Sequence, residues 1–282
     1  MPVYRSVARV LKLAGSIGCY GATLVWENLQ RVAGKIPPGR CVVLHYHALP
    51  RRQRERFAQQ MDILLRCARP LRPELKTPLS PGVLHAVVTF DDGYESVVQN
   101  ALPELQKRNI PFAFFIVSQF LGRPAGWLSK DFYHTHDGDN ILTAQQLRQL
   151  PPDLVTIGSH SMTHPRLPSL SQEVAKRELS DSRTTLERVL QRRVTLFSFP
   201  HGAFNDTLVK WCREVGYERV FSIEPMMAHP HEDITGRVSA DAGDWNLEFR
   251  LKLHGGYRWL PTAFACKRKI LGVLKPALGR SH

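Results

Sequence analysis

Between residues 41 and 239 the chain alternates two periodicities. Short apolar runs rich in β-branched and aromatic residues predict buried strands over Cys41–His47, His85–Phe90, Phe112–Val117, Leu154–Ser159, Val194–Phe199, Arg219–Ile223 and Ile234–Ser239. Between most of them, apolar positions recur at helical spacing. The segment 55–67 has Phe57, Met61, Leu64 and Leu65 on one face, a second helix carries Val97, Leu102 and Leu105, and 143–150, 171–191 and 205–215 follow. Strand–helix alternation of this kind predicts an α/β fold with a parallel sheet of βα units. Seven such strands predict a closed or nearly closed barrel, whose functional groups gather at the carboxyl ends of the strands. Two stretches interrupt the rhythm: a Pro-rich connection, 70–82, and a polar and aromatic loop over about 122–140 with Trp127, Phe132, Tyr133, His134 and His136. The length of that loop is that of a lid or binding loop.

The two ends follow another pattern. Val3, Val7, Val10, Leu11, Ala14 and Ile17 fall at helical spacing, with Arg5, Arg9 and Lys12 on the other side. A basic amphipathic helix like this suits either packing on the domain or lying on a membrane surface. The 14 uncharged residues between Lys12 and Glu27 fall short of the ~20 of a membrane span. They would fit a signal-peptide core, but no small-x-small cleavage site is evident, so a bacterial-type cytoplasmic or peripheral-membrane location is expected over secretion. Ile36-Pro-Pro-Gly39 breaks this segment from the rest. The expected division is a basic N-terminal extension (1–40), a barrel domain (41–258) and a basic C-terminal tail (259–282) that mixes Lys267, Arg268, Lys269 and Lys275 with Ile270, Leu271, Val273 and Leu274.

Charge follows the same division. The net charge of +13 sits at the ends: residues 1–76 hold 14 Lys/Arg against 4 Asp/Glu, and 249–282 hold 8 against none. Such ends suit an anionic membrane surface or acidic polymer as readily as simple solubility. Nucleic acid is not expected as a partner, and oligomeric state is not legible. The five cysteines are scattered and form no CxxC. A disulfide framework or thiolate zinc site is therefore not expected, and a reducing compartment is favoured.

Three strand ends carry candidate chemistry. Thr89-Phe90-Asp91-Asp92-Gly93 sets two carboxylates side by side, a costly arrangement unless a cation or donors sit there. His160-Ser161-Met162-Thr163-His164 presents two imidazoles four positions apart, and two imidazoles with one carboxylate make a common divalent-metal site with open positions. Phe199-Pro200-His201-Gly202 is a proline stop and tight turn whose backbone N–H groups can face a reacting oxygen.

These three stretches, in this order, resemble the first three motifs of the polysaccharide deacetylase family, also called carbohydrate esterase family four or the NodB-homology domain. The similarity extends over about 41–258, including Tyr46-His47 and Ala101-Leu102-Pro103. It implies an irregular (β/α)7, deformed TIM-like barrel, here with helical terminal extensions. It implies that Asp91 is the general base, that Asp92, His160 and His164 bind a divalent metal, and that the N–H of His201 helps hold the oxyanion. The metal would be Zn²⁺ first, with Co²⁺, Ni²⁺ or Fe²⁺ as alternatives. The implied reaction is hydrolysis of N-acetyl groups on amino sugars of a glycan by metal-activated water. That chemistry also requires an acid for the leaving amine.

The sequence departs from the family pattern in two places. No arginine precedes Pro200, and Arg237 is the candidate to hold Asp91 instead. The usual C-terminal Leu-x-His is absent. The general acid is expected to be His47, in the arrangement of a permuted branch of the family, with His254 behind it. Asp241-x-x-Asp244-Trp245 resembles a fourth motif, and Trp127, Tyr133 and Trp245 are candidates to stack on sugar faces. Two alternatives stay open: an amidase or deformylase of another C–N substrate, lipid-linked or small, and a non-catalytic basic module that binds anionic lipid or nucleic acid.

Overall fold

The computed structural model describes residues 2–128 and 139–266, with side chains from residue 9 onward. Tyr133, the neighbouring loop residues 129–138 and the tail beyond residue 266 lie outside the described residues, as do the side chains of Val3, Arg5 and Val7. The strands are β1 (Arg40–Tyr46), β2 (Arg69–Pro70), β3 (Leu84–Phe90), β4 (Phe112–Ile116), β5 (Val155–Ser159), β6 (Leu196–Ser198), β7 (Arg219–Phe221), β8 (Ile234–Thr235) and β9 (Val238–Ser239). They pair in the order β8-β7-β6-β5-β4-β3-β1-β9, all parallel, with β2 added beside β3.

The stretch Ile234–Ser239, expected as one strand, is split. Its first half pairs with β7 and its second with β1, so one short segment holds both edges of the sheet and the strands curl into a seven-staved barrel. The break falls at a crowded glycine. Residues 224–226 pass so close that a Cβ on Gly236 would lie 2.4 Å from the Glu224 carbonyl oxygen, and only glycine fits there. Arg237, the next residue, is fully buried.

Strands covered on both faces read as continuous apolar runs. In β1 and β3, Val43 and Val87 turn inward to a small core with Phe115, Leu196 and Phe221. Val42, Leu44 and Val88 turn outward to a larger core under the helices. Those helices are α1 (Pro2–Val32), α2 (Arg54–Cys67), α3 (Leu102–Lys107), α4 (Ala144–Gln149), α5 (Gln172–Leu190), α6 (Asp206–Val215) and α7 (Asn246–Leu253). A π-helical turn, Val97–Ala101, leads into α3. Local chemistry sets their ends. Thr143 and Gln146 form a reciprocal capping box on α4, the Ser171 and Asn205 side chains accept backbone N–H groups at the starts of α5 and α6, and Gly216 (φ 102°) ends α6. Leu65, expected on the buried face of α2, is 41% exposed.

Helix α1 is inverted relative to an ordinary surface helix. Its polar side faces the barrel: Ser16, Thr23 and Glu27 are buried, while Val10, Leu11, Val25 and Leu29 are 53%, 65%, 61% and 62% exposed. Arg9 pairs with Glu248 of α7 (Nε–Oε2 2.9 Å) and Glu27 with Arg40 (2.8 Å). Trp259 Nε1 donates to Ser16 Oγ (3.1 Å), and an Arg258 nitrogen donates to Thr23 Oγ1 (2.9 Å).

Candidate active site

All three motifs leave the sheet at carboxyl ends of strands. Asp91 follows β3 and its N–H donates to the Tyr46 carbonyl (2.9 Å), which fixes its height beside β1. Asp92 then takes a left-handed backbone (φ 74°) and Gly93 continues the turn (φ 95°), so the two carboxylates part and point to different partners. A Cβ on Gly93 would already lie 3.0 Å from Ile116 Cδ1.

Asp91 belongs to Arg237. The guanidinium grips it bidentately, Nη1–Oδ1 at 2.6 Å and Nη2–Oδ2 at 2.8 Å. Arg237 is held in turn by the Ser222 carbonyl, Thr89 Oγ1 and Ser198 Oγ. Burial pushes the Asp91 carboxyl up, but the Arg237 charge and its hydrogen bonds outweigh it and hold the group well below the usual carboxylate range. Asp91 is thus ionised and locked in orientation.

Asp92 belongs to the histidines. His160 follows β5 and lies 2.8 Å through Nδ1 from the Ser198 carbonyl. A carbonyl only accepts, so the Nδ1 carries the proton and the Nε2 lone pair faces the carboxylates. Nε2 of His160 lies 3.6 Å from Asp92 Oδ1, and Nε2 of His164 lies 3.5 Å from the same oxygen. These gaps are too long for hydrogen bonds. They match the edge, about 3.4 Å, of a tetrahedron whose corners sit ~2.1 Å from its centre. Burial lowers the pKa of both imidazoles, that of His164 to about 2, so both are neutral. Burial raises the Asp92 carboxyl, with His47 and His160 opposing the rise. One carboxylate and two neutral imidazoles converging without mutual hydrogen bonds fit a divalent cation of the zinc type.

Backbone strain gathers here. Four of the seven described non-glycine residues with positive φ are Asp92, Ser161, His164 and His201, a distribution expected where side chains are aimed against local preference. The turn from His160 to His164 is not helical and is held from outside. Glu178, buried on α5, accepts the N–H groups of Met162 and Thr163 (2.9 and 2.8 Å) and the Thr163 hydroxyl (2.6 Å). Ser161 Oγ accepts the His164 N–H (3.0 Å). Sequence reasoning missed Glu178. Its signal was a carboxylate on the stripe shared with Ala175, Leu179 and Ser182.

His201 sits at φ 57° with its ring 4.5 Å from that of His164. The following Gly202 (φ 61°) is obligatory, since a Cβ there would meet Ile223 at 2.1 Å. The N–H of His201 is near the start of a short 3₁₀ turn, Pro200–Gly202, where a helix leaves its amides unpaired.

These groups line a cavity of about 620 Å³ whose wall includes His47, Asp91, Asp92, Trp127, His160 and His201. Trp127 stacks on His164 (4.8 Å). His45, on β1, is buried with its Nδ1 unpaired, and burial followed by the Arg237 charge drives its pKa well down. Ligand atoms of His45, His47 and Asp91 also lie within 4.8 Å of one another, but both oxygens of Asp91 are taken by Arg237.

Two expected residues are elsewhere. His254 lies outside the cavity, 4.8 Å from the Tyr20 ring of α1, with its carbonyl accepting from Arg40; the adjacent pair Leu253-His254 could not reveal that α7 turns the histidine away from the strand ends. Trp245 is 52% exposed under the Arg9 guanidinium (4.2 Å) and is not on the cavity wall, because it starts α7 outside the rim. Asp244 is committed to Lys252 (2.6 Å), which leaves Asp241 and Ala242 of that stretch lining the cavity.

Comparison with known proteins bears on the family and the fold. The polysaccharide deacetylase family model matches residues 81–220. With YxkH of Bacillus subtilis the chain is 27% identical over 161 residues, 57% of this chain and 49% of YxkH. With the poly-β-1,6-N-acetyl-D-glucosamine N-deacetylase of Staphylococcus epidermidis it is 24% identical over 157 residues, 52% of this chain and 50% of that protein. The chain thus spans about half the length of the curated relatives it matches. Among solved structures, IcaB from Ammonifex degensii superposes with a TM-score of 0.63 at 24% identity, over 79% of this chain and 98% of that one. A de-N-acetylase from Aggregatibacter actinomycetemcomitans superposes at 0.60 and 18%, over 76% and 99%; both share the fold. Residues 81–220, whose two aspartates and two histidines converge as described, thus form a polysaccharide deacetylase domain.

Proposed function

We propose that the protein is a divalent-metal-dependent hydrolase that removes N-acetyl groups from amino sugars of a glycan. One observation carries the reading: the two imidazole Nε2 atoms stand 3.5 and 3.6 Å from Asp92 Oδ1 in an accessible cavity, beside an Asp91 that the Arg237 guanidinium keeps ionised. A divalent cation held by Asp92, His160 and His164 supplies a water whose pKa falls toward about 7 and a Lewis acid for the amide carbonyl.

The chain's own residues do the rest. Asp91 accepts the proton of the attacking water, and Arg237 keeps its carboxylate charged and facing the cavity. The N–H of His201 faces the carbonyl oxygen as it gains charge. The nitrogen leaves only after protonation, and His47, on the cavity wall at the end of β1, is the group that gives it a proton. Trp127 offers an apolar face against which a sugar ring stacks.

The test couples metal analysis to acetate release across a panel of N-acetylated glycans and unrelated amides. Asp92→Ala and His160→Ala should lose both metal and turnover. His47→Ala should keep metal and lose turnover by ~10². Full deacetylation by the ligand variants would refute the reading, and hydrolysis of the other amides alone would move the substrate class.

A further inference from the structure

On α1 the charges and the apolar residues occupy opposite sides, and it is the charged side that is docked. Arg9 and Glu27 are tied to Glu248 and Arg40, and Ser16 and Thr23 to Trp259 and Arg258. At 100° per residue the opposite face carries Val10, Leu11, Ala14, Gly18, Val25, Leu29 and Val32, with Trp26 at its edge and no charge. Nine of the sixteen exposed large hydrophobics among the described residues fall between Val10 and Ile36. A monomer rarely leaves an apolar stripe of this length open to water.

Charge identifies what covers it. Residues 1–40 hold six Lys/Arg and one acid, and that acid, Glu27, is buried against Arg40 and Arg31. The exposed charges that border the face, Lys12, Arg31 and Lys35, are therefore all positive. An apolar stripe edged only by cations, with an indole at the border, matches the boundary between acyl chains and anionic headgroups. A second copy of the same helix would bring like charges together. No described helix is long and apolar enough to cross a membrane, so the helix lies in the surface plane.

We infer that the outward face of α1 docks the protein on an anionic lipid bilayer. The sequence pattern alone set basic residues on the side opposite the apolar one and left open packing on the domain or lying on a membrane surface. In the folded protein part of that side is spent on the barrel, and the apolar face makes the contact. The placement has a consequence. Arg9, near one end of α1, reaches the carbonyl of Gly243, next to the cavity-lining Ala242, while Glu27, near the other end, reaches Arg40 at the amino end of β1. The helix runs along the barrel wall, so the cavity opens along the bilayer surface, level with it, and reaches glycan that lies close to lipid.

The experiment is co-sedimentation of the full chain with phosphatidylcholine vesicles, with and without about 30 mol% phosphatidylglycerol. The wild-type chain should bind the anionic vesicles. V25E/L29E, which alters only exposed positions, should bind at least ~10-fold more weakly with its Tm unchanged. Lys12→Gln with Lys35→Gln should lose ~5-fold per charge on anionic vesicles. Equal sedimentation of wild type and V25E/L29E overturns the inference. So does a concentration-dependent dimer that V25E/L29E abolishes without any vesicle binding, which would make a second copy the occupant. A fall in Tm for V25E/L29E would assign the cover to another part of this chain and also overturn it.

Discussion

Asp91 and Asp92 are neighbours in sequence and opposites in electrostatics, and their amide variants should separate accordingly. Asp91 is the partner of a fully buried guanidinium. Asp91→Asn leaves that charge uncompensated, an error that costs about 3–5 kcal/mol. Asp92 has a raised pKa, caused first by burial. An acid whose folded pKa lies above its unfolded value penalises the folded state at all pH above the folded pKa, so removing the charge relieves the metal-free protein. Asp92→Asn should therefore leave metal-free stability unchanged or raise it by up to about 2 kcal/mol. Urea unfolding of both variants after chelation checks the contrast, and equal losses would mean that the roles of the two carboxylates are not distinct. The pairing of Asp91 with Arg237 was legible because Arg237 was expected near the end of a strand. The contrast with Asp92 was not, since it depends on a left-handed residue at position 92 that no propensity announces.

The imidazole pair of His160 and His164 depends on other elements rather than on its own residues. His160 is anchored by the Ser198 carbonyl at the end of β6, and the turn to His164 is anchored by Glu178 of α5. Glu178→Ala removes the acceptor of two backbone N–H groups and one hydroxyl while leaving every ligand in place. Loss of such an outer partner lowers metal affinity ~10–100-fold, measurable by competition with a chromophoric chelator while helix content stays constant. Unchanged affinity would mean that Ser161 and the strands alone hold the turn. The limit of sequence reading at this scale is visible in the same helix. Periodicity found α5 to within a residue or so at each end, but one carboxylate among apolar neighbours reads as a surface position until the loop it supports is folded over it. Helix α1 shows the complementary limit: the pattern separated its two faces correctly, but which face meets the barrel is decided by Glu248, Arg40 and Trp259, far along the chain.

Across the whole molecule the parallel barrel was legible in outline because buried runs alternate with helical periodicity, and three of those runs end in residues with chemistry that a parallel barrel gathers at one rim. How the barrel closes was not, because the closing segment is too short to pair as one strand and divides at Gly236. That division sets Arg237 inside the rim, so the device that closes the fold also fixes the charge beside Asp91. Ligands on β3 and β5 are joined across the intervening β4, so a cation binding Asp92, His160 and His164 must stabilise the barrel as a whole. Binding confined to the folded state adds RT ln(1 + [L]/Kd), about 2.7 kcal/mol at 100 times Kd. For a chain of this size each kcal/mol raises Tm by ~2–4 °C. Adding Zn²⁺ to the chelated wild-type protein should then raise Tm by roughly 5–10 °C. The same addition to Asp92→Asn, which keeps both imidazoles but loses the carboxylate, should shift Tm far less. Equal shifts in the two proteins would place the stabilising cation away from Asp92 and remove the physical basis for assigning the hydrolytic site to this rim.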